Sequence, residues 1–366
     1  MHPARVQPAL SMRQHLTHQA LYNMLRAGLS LPHLMRPTTA VHAARIIGRT
    51  YGGLPLNRAR VNAAAERIAT ALPGVPREQR RELVIQSYEH LAMLASELTI
   101  APRIITDDKW PDVIELGSIT DAMRPLMSGR PLMLLTGHCG NWEILGYTLA
   151  MLGYRMHVLY RPLDLRPADK WVRASRSRRG LMLLDKFGAS HALPGLIESG
   201  ESVGFVADQN AGDRGLQVPY FNRLASSYKS IALMATRFQT PILVGQARRL
   251  QPSPDHPAGV RYRIELADSF GPEDWEHQPD PMFYITARYR RAIEKMVRAA
   301  PEQYLWMHRI WKSRPRHERL NNPFPDRLKD KLRELPWMTE GEIAQLVEQS
   351  DRDRAHLRET GKAQLT

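Results

Sequence analysis

A histidine and a glutamate five residues apart are the side chains of this sequence that most directly suggest chemistry. The segment LLTGHCGNWEIL, residues 134–145, places His138 after an apolar run and Glu143 five positions later. A neutral imidazole can accept a proton at cellular pH, because its ordinary pKa is about 6.5. A carboxylate that reaches the second ring nitrogen would fix the tautomer and stabilise the imidazolium. No serine stands beside the pair, so the pattern favours activation of a substrate hydroxyl over a covalent enzyme intermediate.

The residues between this pair predict the turn that would position it. Gly137 and Gly140 allow the backbone to turn tightly after the predicted strand PLMLLT. Asn141 is predicted to cap the helix NWEILGYTLAML, whose first amides offer a site for negative charge. We therefore expect Asn141 to lie close to the substrate.

Three other readings of the segment remain open. A histidine at a strand end can simply hydrogen-bond a loop. Cys139 could be a nucleophile activated by its neighbour, although adjacent side chains usually point apart and small buried cysteines are common. A zinc site has less support, because the chain has one cysteine and its 14 histidines lack ligand spacing.

Alternating elements from about residue 131 predict an α/β fold, with a sheet flanked on both sides by helices. The predicted strands are PLMLLT, YRMHVLY, SVGFVAD, TPILVGQARRL and VRYRIELAD. The predicted helices between and after them are NWEILGYTLAML, residues 169–187, ALPGLIES, SYKSIALMATRF and residues 281–300. Two helices broken at LPGVP are predicted over residues 58–101. The boundaries expected are a helical region over 1–100, an α/β domain over 101–316 and a peripheral, helical tail over 317–366.

Two of these strands end in polar clusters. PLMLLT runs into GHCGNWE, and SVGFVA runs into Asp208, Gln209 and Asn210. Because sites in open α/β folds form beyond the carboxyl ends of strands, the two clusters predict one pocket. Asp208 and Gln209 are expected to line the part that receives the acceptor, although turn formation alone would also account for them.

Composition narrows the partners and the compartment. Of 366 residues, 43% are hydrophobic, which is enough for a large core, and the formal net charge is +14. Nucleic acid, anionic lipid, a phosphorylated substrate or an acidic carrier protein would suit that charge. The single cysteine excludes an internal disulfide and suits a reducing compartment.

The sequence contains no apolar run of about 18 residues that could span a membrane, and its start lacks the pattern of a secretory signal. Residues 19–35, QALYNMLRAGLSLPHLM, are suited to a helix lying in a membrane interface. Packing of this segment against the main domain is an equal alternative.

The sequence at this point resembles a known family. GHCGNWE is similar to the His-x4-Asp/Glu motif of the lysophospholipid acyltransferase superfamily and, more narrowly, to that of the bacterial lipid A biosynthesis (late) acyltransferases. Four further segments resemble that family in the same order, and the resemblance covers about residues 58–316. These segments are YRPLD (160–164), VADQN (206–210), VPYFNRLASSYKSIALMA (218–235) and PEQYLWMHRIWKSRP (301–315).

The resemblance implies a glycerolipid acyltransferase-like fold and transfer of a fatty acyl chain from a thioester to a hydroxyl of a lipid A precursor. His138 would be the general base and Glu143 its partner, with no metal and no cofactor. The donor would be acidic acyl carrier protein or acyl-CoA, and the acceptor an anionic glycolipid. A monomer at the cytoplasmic face of the bacterial inner membrane is implied, held peripherally or monotopically. Residues 1–100 would then attach to the membrane and cover the acyl groove.

This sequence departs from the family in three ways. It lacks the usual initial transmembrane helix, it has Tyr220-Phe221-Asn222 in place of Phe-Phe-Gly, and Cys139 replaces a bulkier residue. A different glycolipid or a lysophospholipid acceptor therefore stays open.

Two arginines complete the predicted site. Arg161, in the Tyr-Arg-Pro match at a strand end within the basic run of residues 155–190, is expected to contact phosphate or carrier. Arg309 lies among tryptophans in WMHRIWKSRP, which suits a membrane-interface rim, a core element or stacking on single-stranded nucleic acid. Besides acyl transfer, the alternatives are a hydrolase that uses the same pair and a basic nucleic-acid-binding module. The latter has no recognisable nucleic-acid-binding motif, so no nucleic acid is expected as a partner.

Overall fold

The computed structural model describes residues 12–160, 162–163, 165–177, 180–185, 189–251, 260–363 and 365. The first part of the chain is helical, and the helices are α1 (Met12–Ser30), α2 (Pro37–Gly53), α3 (Arg58–Ala71), α4 (Arg77–Ile104) and the short α5 (Trp110–Val113). Short 3-10 turns, Leu31–Leu34 and Pro55–Asn57, join the first three. The two helices predicted over 58–101 are α3 and α4, and their separation at LPGVP is confirmed.

A mixed seven-stranded sheet forms the centre of the molecule. Its strands, in spatial order, are β1 (Ile114–Leu116), β9 (Tyr262–Phe270), β8 (Ile242–Arg249), β2 (Met133–Thr136), β5 (Ser202–Val206), β3 (Met156–Tyr160) and β4 (Leu181–Asp185). Neighbours pair in parallel except β8 and β9, which are antiparallel. The central position of β2 agrees with its short apolar sequence MLLT, since a strand covered on both faces reads as a continuous hydrophobic run. The predicted α/β class is confirmed.

Helices cover both faces of this sheet. They are α6 (Thr120–Met127), α7 (Trp142–Met151), α8 (Arg166–Ser177), α9 (Ala189–Glu198), α10 (Lys229–Phe238), the short α11 (Pro272–Trp275) and α12 (Pro281–Ala299). The helix predicted over residues 281–300 is thus confirmed. Its start is fixed locally, because the Asp280 side chain accepts a 3.0 Å hydrogen bond from the amide of Phe283, and Pro281 occupies the first turn.

The single helix predicted over residues 169–187 is wrong in its second half. Helix α8 ends at Ser177, and the apolar run LMLLD forms the edge strand β4, paired with β3. Gly180 lies between them with a φ of +94°, which a right-handed helix cannot accommodate. An apolar run of this length suits a strand as well as a helix. Here the glycine before it ends the helix, and the run forms a strand.

A two-stranded antiparallel hairpin was not predicted. It pairs β6 (Leu216–Pro219) with β7 (Leu224–Ser227). Phe221 and Asn222 form its turn with φ values of +51° and +52°. Two consecutive positive φ values characterise the type I′ turn, whose twist matches that of the flanking strands. Asparagine tolerates a positive φ well. The short strand β1 was missed as well.

The C-terminal residues pack into the core of the molecule. They form the short α13 (Arg316–Arg319), α14 (Asp326–Arg333) and α15 (Glu340–Thr360). Asp353 on α15 is buried and pairs with two buried arginines, Arg223 at 2.6 Å and Arg314 at 2.8 Å. These contacts connect the tail to the hairpin, and removing one partner would leave a buried charge uncompensated.

The first helices expose many apolar side chains. These are Leu16, Leu21, Met24, Leu25, Leu31, Leu34, Met35, Ile46, Ile47, Tyr51, Leu54 and Leu56. Residues 19–35, predicted as an interfacial segment, fall on α1, the following 3-10 turn and Met35. Within the described part of the chain, no helix combines the length and the apolar character needed to cross a membrane.

Candidate active site

The ends of two neighbouring strands bring His138 and Asp208 together. β2 and β5 pair in parallel up to Thr136 and Val206, so the residues that follow both strands emerge at the same edge of the sheet. The distance from His138 Nδ1 to Asp208 Oδ1 is 2.7 Å. The expectation that the two polar clusters share one pocket is therefore correct.

This hydrogen bond fixes the chemistry of the imidazole. Asp208 is fully buried, and an ionised carboxylate only accepts hydrogen bonds, so Nδ1 of His138 carries the proton. Nε2 then carries the lone pair, which accepts a hydrogen bond from the side-chain amide of Gln209 at 3.4 Å. Behind the carboxylate, the buried Arg290 donates a 2.6 Å hydrogen bond to the backbone oxygen of Asp208.

The pair shifts the two pKa values in opposite directions. Burial alone would lower the pKa of His138, but the charge and hydrogen bond of Asp208 outweigh it, so the pKa is raised. Burial alone would raise the pKa of Asp208, but His138 and Arg290 hold it well below its ordinary value. Asp208 therefore stays ionised while His138 remains able to take up a proton.

Glu143 does not make the hydrogen bond predicted for it. Its carboxylate accepts from Arg176, with Nε at 2.9 Å from Oε2 and Nη2 close to Oε1, and from the indole of Trp142 at 3.2 Å. The reason is that Asp208 already occupies Nδ1 of His138, while Arg176 on α8 engages both oxygens of Glu143. The charge of Glu143 still helps to raise the pKa of His138, although less than Asp208 does.

The loop that carries His138 is held by pairing with a second segment. Residues 138–140 lie antiparallel to residues 303–305: the amide of Leu305 donates to the oxygen of His138 at 3.0 Å, and the amide of Gly140 donates to the oxygen of Gln303 at 3.1 Å. Gly140 has a φ of +58°, and a Cβ there would overlap the carbonyl of Ala247. Only glycine fits this position without strain.

Asn141 caps α7 as predicted, but it does so from a fully buried position. Its Oδ1 accepts from the amide of Ile144 at 3.0 Å, and its Nδ2 donates to Glu97 at 2.9 Å and to the Tyr262 hydroxyl at 3.1 Å. Its backbone amide donates to the oxygen of Ala247 at 2.8 Å. Because these hydrogen bonds occupy both ends of its amide, Asn141 positions the loop, and the expected contact with substrate does not fit this geometry.

Cys139 is buried in the core and is a poor nucleophile. Only 1% of its surface is exposed, and burial raises the pKa of its thiol far above the ordinary range. The reactive form of cysteine is the thiolate, which this environment strongly disfavours. Among the residues that the structure describes, no three histidine, cysteine, aspartate or glutamate side chains cluster as metal ligands would.

A cavity of about 1240 Å³ opens beside His138. His138, Trp142, Glu143 and Gln209 lie in its wall, while most of the lining is apolar and comes from the sheet, α6 and α7. Representative apolar lining residues are Leu126, Leu134, Leu149, Val158, Leu243 and Leu266. Ligand pockets usually measure about 300–1,000 Å³, so this cavity is large enough for a long apolar ligand. Leu98 places α4 in its wall.

The remaining predicted site residues are divided between the site and its surroundings. Gln209 lies in the site, as described above, whereas Arg309 is exposed and is not part of the cavity wall. Arg161 lies outside the described residues.

His308 was not predicted as a site residue, although it stands in the distinctive segment WMHRIWKSRP. Its ring centroid is 6.4 Å from that of His138, with 19° between the ring planes.

Comparison with known proteins identifies the family of this chain. The chain belongs to the bacterial lipid A biosynthesis acyltransferase family, whose sequence profile matches residues 10–313. The protein is therefore an acyltransferase, and the resemblance found in the sequence is confirmed.

Individual relatives are distant but cover most of the chain. The lipid A biosynthesis palmitoleoyltransferase of Escherichia coli (strain K12) is 25% identical over 279 residues, which span 74% of this chain and 85% of the relative. The lipid A biosynthesis acyltransferase of Shigella flexneri gives the same figures. The lipid A biosynthesis lauroyltransferase of Escherichia coli (strain K12) is 27% identical over 252 residues, or 66% of this chain and 76% of the relative.

Proposed function

We propose that this enzyme moves a fatty acyl chain from an acyl thioester to a hydroxyl of a lipid A precursor or a related glycolipid. One observation carries the proposal: the His138–Asp208 pair stands at the wall of a large apolar cavity. The pair suits the proton transfer, and the cavity suits the hydrocarbon chain. The relatives, which are named as lipid A biosynthesis enzymes, supply the class of acceptor.

The proposed reaction begins with the lone pair on His138 Nε2. That nitrogen removes the proton of the acceptor hydroxyl while the hydroxyl oxygen bonds to the thioester carbonyl carbon. The imidazolium is stabilised by Asp208, which stays ionised. The tetrahedral intermediate then collapses, the carbon–sulfur bond breaks, and the proton passes from His138 to the departing sulfur. An ester and a free thiol are the products, and no group on the enzyme is acylated.

Glu143 has a supporting part in this scheme. Its contact with Arg176 joins α7 to α8 at the cavity wall, and its charge adds to the field that raises the pKa of His138. We therefore propose Glu143 as a secondary carboxylate of the site and Asp208 as the residue that orients the base.

Acyl carrier protein or acyl-CoA is the proposed donor. Both carry the acyl group as a thioester and are strongly acidic, which suits a chain with a net charge of +14. An anionic glycolipid acceptor suits the same charge. Gln209, whose amide lies 3.4 Å from Nε2 of His138, is placed to contact the acceptor hydroxyl. For Arg161, contact with phosphate or with the carrier stays a prediction.

The proposed location is the cytoplasmic face of the bacterial inner membrane, with attachment through the N-terminal helices. The support is the set of exposed leucine, methionine and isoleucine side chains on α1, α2 and the turns after them, accompanied by the exposed Arg26 and Arg36. A helix that lies in the membrane plane inserts apolar side chains into the membrane–water interface. Its arginines contact anionic lipid headgroups.

Mass spectrometry of reaction products tests the proposal. Purified protein would be mixed with acyl carrier protein thioesters or acyl-CoA and with lipid A precursors or lysophospholipids. We expect an acylated glycolipid that forms only with enzyme, and at least about a hundredfold less of it in the same time with His138→Ala. Release of free fatty acid without an acylated lipid would instead identify a hydrolase, and an acylated lysophospholipid alone would replace the proposed acceptor.

A further inference from the structure

A second histidine faces the proposed base across the loop pairing described above. Because residues 303–305 pair with residues 138–140, His308 follows that pairing after one short turn, and its amide donates a 3.0 Å hydrogen bond to the oxygen of Leu305. The imidazole rings of His308 and His138 are nearly parallel, at 19°, with their centroids 6.4 Å apart. The two rings thus lie side by side beyond the carboxyl ends of β2 and β5.

The hydrogen bonds of His308 identify the nitrogen that carries its proton. The amide of Asn210, two residues beyond Asp208, lies 3.4 Å from Nε2 of His308, so Nε2 is the acceptor. A neutral imidazole that accepts at one nitrogen donates from the other. Nδ1 of His308 therefore bears a hydrogen, and within the described ranges no side chain or backbone oxygen bonds to it.

The charge state of His308 differs from that of His138. Burial lowers the pKa of His308 to about 4. Asp208 opposes this shift, while Arg290, Arg67 and His138 in its protonated form add to it. At neutral pH the ring is uncharged and keeps one N–H. Neighbouring groups whose pKa values are pushed apart are characteristic of sites in which one residue moves a proton and the other does not.

We propose that His308 is a second catalytic histidine, whose Nδ1–H donates a hydrogen bond to the carbonyl oxygen of the acyl donor as that oxygen gains negative charge. This inference rests on the acyl transfer proposed above. A preorganised neutral donor stabilises the tetrahedral oxyanion. Because its pKa is low, His308 does not compete with His138 for the proton of the acceptor hydroxyl. Arg290 is less suited to this part, because it is fully buried and its Nε, Nη1 and Nη2 already bond to Ser227, Asp208 and Ser226 respectively.

Two amide substitutions separate this role from a structural one. An asparagine side chain can place an N–H near the position of Nδ1, whereas a glutamine side chain reaches the position of Nε2 and can accept from Asn210. We expect His308→Ala to lower kcat roughly a hundredfold to a thousandfold with KM changed little, as removal of an oxyanion donor does. His308→Asn should recover at least about tenfold of that loss, and His308→Gln should recover little.

His317 provides the matched control. Its pKa is likewise lowered by burial to about 4, but its Nε2 bonds to Ser350 at 2.9 Å, and its only ring contact in the described part of the chain is with Phe324, away from His138. His317→Ala should lower the melting temperature and leave kcat near that of the wild type. Circular dichroism and thermal melts of all variants would confirm that the activities refer to folded protein.

Each result has a definite meaning. Rescue by His308→Gln but not by His308→Asn would show that the ring only supports Asn210, and it would overturn the inference. So would a folded His308→Ala enzyme with kcat within about threefold of the wild type. If the wild-type enzyme itself formed no acylated lipid, the proposed function would fail first, and that failure is seen before any variant is compared.

Discussion

Two buried carboxylates hold opposite ends of the loop that carries His138, and they differ in how fully they are engaged. Glu97, on α4, receives hydrogen bonds from both Nη atoms of Arg249, from the Tyr262 hydroxyl and from the Asn141 amide. Asp208 bonds to His138 through Oδ1, while its Oδ2 is buried and has no partner among the described residues. Both carboxylates are completely shielded from solvent.

This difference separates a positioning cluster from a reacting one. The charge of Glu97 is matched by Arg249, and none of its partners gains or loses a proton near neutral pH. Asp208 faces an imidazole that does, so its charge is available when the imidazolium forms. A saturated buried network rigidifies a structure, whereas a buried polar atom without a partner requires an explanation, and a part in catalysis is one.

Of the substitutions in these two clusters, Asp208→Asn should have the largest effect on kcat. The substitution preserves size but removes the charge that stabilises the imidazolium and fixes its tautomer, so kcat should fall roughly a hundredfold to ten-thousandfold. The rising limb of the pH–rate profile should also move to lower pH, because Asp208 raises the pKa of His138. Steady-state kinetics from pH 5 to 9 would measure both.

Glu143→Gln is the matched control for that experiment. It removes a carboxylate that bonds to Arg176 and has no hydrogen bond to the ring, so kcat should fall by about tenfold or less. If Glu143→Gln were the more damaging substitution, Glu143 and not Asp208 would be the partner of His138 during the reaction.

Glu97→Gln should act on stability instead of chemistry. Removing one partner of a buried ion pair typically destabilises a protein by about 3–5 kcal/mol, since the remaining charge is uncompensated. Urea denaturation would measure the loss, and kcat per folded molecule at low temperature should stay within about threefold of the wild type. A Glu97→Gln enzyme with wild-type stability but no activity would contradict the claim that Glu97 only positions the loop.

The smallest effect is expected from Cys139→Ala. Cys139 lies in the loop between His138 and Asn141, the residues that Asp208 and Glu97 contact. The thiol is buried and its pKa is raised, so it takes no part in the proposed reaction. Transfer should remain within about twofold of the wild type. Trapping of an acyl group on Cys139, detected by mass spectrometry of the intact protein, would contradict this.

Local patterns predicted much of the fold and the turn that carries His138. The glycine pair, the Asn141 cap and the approach of two strand ends follow from residue types and strand topology, and the structure contains all three. The partner of His138 was predicted wrongly, because spacing along the chain favours Glu143, whereas the sheet brings in Asp208 from 70 residues away. The approach of His308 depends likewise on long-range pairing with residues 303–305, which no local pattern encodes.

The single-turnover rate of acyl transfer by His138→Ala tests the central claim most directly. Enzyme in excess over a labelled acyl thioester, with saturating glycolipid, isolates the chemical step from product release. If Nε2 of His138 removes the acceptor proton, this rate should fall at least about a hundredfold while circular dichroism remains that of the wild type. A folded His138→Ala enzyme that transfers the acyl chain at nearly the wild-type rate would contradict the account.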